Sequence, residues 1–161
     1  MADLQMNAMR DALRGLRSDV EGLRRRAPSG TMLEAVVGMG TAVGDGIYVL
    51  DANNAIRYSR LGDLVVTVPS FIRISSITAA GTGGLYFLLP VAPRTQTGGP
   101  IGRAKIRDAS TGTETMVDVE ASGSYGLMYV TPAAPVTPTS PFTWAAPDSI
   151  YIGSLTYEAL T

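Results

Sequence analysis

The sequence predicts a mainly β domain, a sandwich or barrel, behind an N-terminal coiled-coil helix. Two patterns and one bound carry this reading. Ala2, Met6, Met9, Leu13, Leu16, Val20 and Leu23 recur at alternating spacings of four and three, the seam of a heptad repeat. Beyond Gly30 the chain turns to Gly, Pro, Thr, Ser and Val, with short apolar runs separated by turn signals. At 161 residues, 45% hydrophobic and 17% charged, the chain suits one domain plus the helix.

Residues 1–27 are read as the oligomerisation helix. Met6, Leu13 and Val20 occupy position a, and Met9, Leu16 and Leu23 position d, giving about three heptads. A helix of this length spans about 35 Å and is marginal alone in water. Gly15 and Gly22 weaken it further, each costing about 1 kcal/mol relative to Ala in a helix interior. The seam is therefore expected to persist only when buried against copies of itself. Arg10, Arg17 and Arg24 take the e positions, where Asp19 at g can meet Arg24 of a parallel neighbour.

Residues 28–31 read as a short linker, and 32–161 as the β domain. Strands are predicted near 32–37, 46–50, 56–60, 64–69, 71–78, 85–89, 103–108, 115–120, 127–131 and 149–156. Turns are predicted at 51–54, 62–63, 81–84, 98–100 and 111–112. Prolines 132, 135, 138 and 141 keep 131–141 out of any central strand, so it is read as a loop crossing the outside. Leu64 to Val68 is apolar on both faces, which suits a strand covered twice, within a sandwich or at a subunit contact. The aromatic residues, Phe71 and Tyr151 among them, are assigned to core or interface.

Composition narrows the chemistry. The chain has no Cys and no His, which removes thiolate nucleophiles, the common zinc sites and the usual base for an activated serine. No catalytic, cofactor or metal residues are assigned. Ala35 to Gly40 resembles a strand entering a dinucleotide loop, but Gly44-Asp45-Gly46 interrupts the helix such a loop must open. Asp51 starts a calcium-like run that lacks Gly at the sixth position and Glu at the twelfth. Asp118 and Glu120 share one strand face, where a solvated pair is the simpler reading than glycosidase carboxylates. Residues 1–26 hold six Arg against four acids, a charge of +2, and the remainder seven Lys or Arg against ten acids, a charge of −3. Neither part has the basic balance of a nucleic-acid binder. No run approaches membrane-spanning length, and no apolar leader segment is expected.

The stretches Tyr58 to Val65, Leu89-Pro90-Val91, Pro141 to Asp148 and Tyr157-Glu158-Ala159 together resemble the C-terminal β-domain of tailed-bacteriophage fibre and minor tail proteins. The resemblance implies a jelly-roll-like sandwich, commonly a trimer, set on a stem and exposed at the virion surface. It implies a structural role in host attachment as a tail fibre or receptor-binding knob, with capsid decoration or head fibre as the alternative. The expected partners are copies of the chain, other virion proteins and a host surface glycan. For that glycan, Tyr125 and Trp144 are the expected stacking platforms, with Arg94 and Gln96 as polar contacts.

Overall fold

The computed structural model describes residues 32–52, 54–94, 99–131 and 133–160. The chain divides into two units, Met1–Thr31 and Met32–Thr161, and every described residue belongs to the second. The predicted helix, the linker 28–31 and the seam residues Met6, Met9, Leu13, Leu16, Val20 and Leu23 lie outside the described residues, as does Gln96.

The described residues form strands alone. In chain order they are β1 Leu33–Val36, β2 Met39–Thr41, β3 Ile47–Leu50, β4 Ala55–Leu61, β5 Leu64–Thr67, β6 Ser70–Ala79 and β7 Leu85–Leu88. They continue with β8 Pro100–Arg107, β9 Glu114–Ser122, β10 Tyr125–Thr131, β11 Ala134–Pro135, β12 Ser149–Ile152 and β13 Thr156–Glu158. The mainly β expectation holds.

Two sheets are present. The smaller has the order β1-β4-β5-β13. The larger runs β11-β10-β7-β2-β3-β6-β12-β8-β9, and β9 pairs again with β10. That last pairing closes an eight-membered antiparallel ring, with β11 attached to the end of β10. The arrangement differs from the predicted jelly-roll sandwich because the larger sheet closes on itself. On β10, Gly126 leaves room for Phe87 of β7 and Val119 of β9. It stands opposite Phe87 where β10 meets β7, and a Cβ there would lie 2.8 Å from the Phe87 ring. The missing side chain lets the phenyl ring fill the join.

Strand alternation fills the barrel. Ile72 on β6 faces Ile150 on β12, which faces Ile106 on β8, and all three are fully buried. Leu85, Phe87, Val119 and Met128 complete the packing from the other strands. An eight-stranded barrel is just wide enough for side chains to fill it. Ile56, Val65 and Tyr157, on the inner face of the small sheet, join the same core.

Three segments depart from the sequence reading. The predicted strand 149–156 breaks at Gly153, whose N–H donates to the Arg103 carbonyl at 2.9 Å, and whose missing Cβ would stand 2.7 Å from that oxygen. The chain then crosses to the small sheet, held by Thr67, whose hydroxyl accepts from the Leu155 N–H at 2.8 Å. The 131–141 stretch does not stay outside. Val136 is fully buried, donates its N–H to Met128 and accepts from Leu85, so it bridges β10 and β7 where their own pairing ends. Leu64 to Val68 is covered on one face only: Val65 and Thr67 are buried, whereas Leu64, Val66 and Val68 are exposed.

Candidate functional site

The outer wall of the barrel carries an apolar row where period-two alternation calls for polar residues. On β12, Ile150 and Ile152 point inward and Tyr151 points out. The strand register sets Phe71 of β6 on one side of Tyr151 and Lys105 of β8 on the other, with Met116 of β9 beyond Lys105. Phe71 is 45% exposed, Tyr151 40% and Met116 56%, so each offers about half its surface to a ligand. The Phe71 and Tyr151 ring centroids are 4.6 Å apart with planes inclined at 47°, and Lys105 Nζ lies 5.0 Å from the Tyr151 centroid. Such cross-strand pairs contribute about 0.2–1 kcal/mol each, so the row also helps to hold β6, β12 and β8 in register.

Beside Tyr151 the wall is indented. Gly153 has no side chain, and an open groove of about 450 Å³ forms among Pro69, Phe71, Arg103, Met116, Tyr151 and Gly153. Two ion pairs stand at its rim. Arg103 Nε donates to Asp118 Oδ1 at 3.0 Å, and Lys105 Nζ to Glu114 Oε2 at 2.9 Å. The groove thus sets an apolar, aromatic surface beside adjacent donors and acceptors. Asp118, considered above as half of a carboxylate pair, is here the partner of Arg103.

Other carboxylates fasten turns. Asp45 accepts hydrogen bonds from the Thr82 N–H and hydroxyl and from the Thr41 hydroxyl, each at 2.7 Å. These bonds, the Thr82 N–H foremost, hold its carboxyl down at about 2. The hydroxyls of Ser110 and Thr111 lower Asp108 in the same way. Both groups are ionised at neutral pH and act as acceptors. Burial pushes the Tyr48 and Tyr157 phenols up to about 12, and each donates to a backbone carbonyl, of Ala80 and Val91 respectively. Among the described residues no group of three or more His, Cys, Asp or Glu could hold a metal ion.

The contact residues expected from the sequence do not converge. Tyr125 opens β10, is 39% exposed and stacks on Tyr86 with centroids 4.1 Å apart. Trp144 is buried against Phe142 and presents no face to solvent; its indole N–H finds no acceptor among the described residues. Arg94 lies 3.6 Å from Asp63, and its N–H donates to the Glu158 carbonyl at the end of the small sheet. No hydrogen bond or ring contact joins Arg94, Tyr125 and Trp144 among the described residues. The sequence reading missed Phe71, Tyr151, Met116 and Lys105 as a group. A signal was present, since Phe71 and Tyr151 each occupy the outward position of a strand whose inward positions are Ile. No protein-family model, curated protein or solved structure matches the chain.

Proposed function

We propose that this chain is a homo-oligomeric structural protein of a tailed-bacteriophage virion, a tail fibre or receptor-binding knob exposed at the virion surface, whose barrel attaches to a host surface glycan. The observation that carries the reading is the exposed Phe71–Tyr151–Met116 row beside its groove. A pyranose has one face of C–H groups and a rim of hydroxyls that both donate and accept. The aromatic pair suits the first, and the Arg103–Asp118 and Lys105–Glu114 pairs suit the second. The heptad seam over residues 1–27 would make the protein an oligomer, commonly a trimer in the proteins it resembles. Several modest sites on one oligomer gain avidity without new contacts. The charge of +2 over residues 1–26 against −3 beyond favours docking the helical end on the particle, with the barrel outward.

The test is adsorption. Purified protein is expected to bind host cells or envelope extract and compete with the phage, and Tyr151→Ala to lose that competition while keeping its fold. A second reading, capsid decoration, is favoured by the aliphatic outer face of the small sheet, which suits a protein neighbour better than a sugar. It replaces the first if saturating protein leaves adsorption unchanged, while particles lacking the chain infect normally but burst more readily on heating.

A further inference from the structure

We infer that the outer face of the small sheet is a contact between copies of this chain, an inference that rests on the homo-oligomeric reading above. The register places Leu61 opposite Leu64 and Ser59 opposite Val66, while the Val68 N–H donates to the Arg57 carbonyl. Leu61, Leu64, Val66 and Val68 therefore lie together on one face, exposed at 53%, 39%, 38% and 36%. On the opposite face Ile56, Val65 and Tyr157 are buried in the core. A strand apolar on both sides has been covered on only one.

The chemistry of the patch selects its occupant. Its centre is aliphatic and carries no aromatic ring; Thr156 and Glu158 of β13, opposite Val66 and Leu64, form its polar rim on one side, and Glu34 pairs with Arg57 at 2.9 Å on the other. A sugar would find no aromatic stacking surface there, whereas a second Leu- and Val-rich face would bury against the aliphatic centre. Four partly exposed aliphatic side chains fall short of the roughly 800 Å² per partner that a stable free-standing interface buries. A copy that is already tethered does not need that area. The heptad segment ends at Leu23, and the chain enters this same sheet at β1, ten residues on at Leu33. So short a connection raises the effective concentration of neighbouring copies to the millimolar range, enough for a small aliphatic patch to hold. The seam and the sheet are then two weak contacts in series, each insufficient alone.

The absence of Cys makes the test clean. In the full chain, Val66→Cys and Ser59→Cys each place one thiol on the patch, and Ser124→Cys places one on the exposed β9–β10 turn as control. Each variant is treated at micromolar concentration with a short bismaleimide, and the parent is sedimented in parallel. The expected result is an oligomeric parent, with cross-linked product from the two patch variants at least tenfold above the control. An oligomeric parent whose patch thiols cross-link no better than Ser124→Cys overturns the inference and leaves the oligomeric reading standing. A monomeric parent without patch cross-links overturns both. Equal cross-linking at all three positions shows random collision and also overturns the inference.

Discussion

The barrel and the small sheet use the same kind of strand, yet one is closed and the other is left open. In the barrel each of eight strands has a neighbour on both sides, so the ring has no free edge to pair with another chain. The small sheet ends at β1, whose outer edge has no partner strand among the described residues. Its inner face shares the core, and its outer face shows Leu64, Val66 and Val68. Closure leaves the barrel no open edge, whereas the small sheet keeps an open edge and an exposed apolar face among the described residues. The barrel's own exposed feature, the Tyr151 row, is a local patch on a complete wall.

The comparison breaks first in the barrel. Phe87 is fully buried and fills the join between β7 and β10, so Phe87→Ala is expected to cost about 3–5 kcal/mol. Urea unfolding at fixed protein concentration measures it, and hydrogen exchange should show protection falling around the whole ring. A smaller loss sharpens the contrast inside the small sheet. Val65→Thr puts a hydroxyl on its fully buried face, at about 1–3 kcal/mol if no partner is found. Its neighbour Val66→Thr faces out and should stay within about 0.5 kcal/mol in a background carrying Leu13→Asp and Leu16→Asp, which would remove the proposed oligomer contact.

Acid tests the end of the barrel where Asp45 ties the β2–β3 turn to Thr82 in the β6–β7 loop. The folded value of about 2 lies below the ordinary 3.8, so the carboxylate stabilises the fold above pH 3.8 and loses that contribution as the pH falls toward 2. Asp45→Asn should be less stable than the parent at neutral pH, with the difference shrinking across that window. Thermal melts from pH 7 to pH 2 measure it. A small change in stability is expected at Tyr151→Ala, which removes only cross-strand ring contacts on the wall, about 0.2–1 kcal/mol each, while the proposed competition with the phage should be lost.

Much of the domain was legible one strand at a time. Alternation gives the parity of a strand, and in the structure it sets Ile72 and Ile74 against Phe71 and Arg73, and Ile150 and Ile152 against Tyr151, a parity the sequence reading did not draw for these two strands. Glycine and proline marked most of the turns, because those residues supply backbone angles that others adopt at a cost. Parity says which residues share a face, but it does not say which strand comes alongside. The Phe71–Tyr151 site was hidden for that reason, since its two rings come from distant parts of the chain and meet only through the β6–β12 ladder. Trp144, offered as a stacking platform although core packing was the default role for it, is buried by the packing around Pro138 and Phe142.

The sequence by itself determined a mainly β domain and which residues of a strand share a face, because side-chain direction follows from a local period of two. Only the tertiary structure decided that the large sheet closes, that 131–141 bridges β10 and β7, and that Leu64, Val66 and Val68 stay uncovered. These outcomes depend on hydrogen bonds and contacts between distant segments, such as Gly126 against Phe87 and Val136 between Met128 and Leu85. A local pattern permits many such pairings, and the geometry of the packed chain selects one.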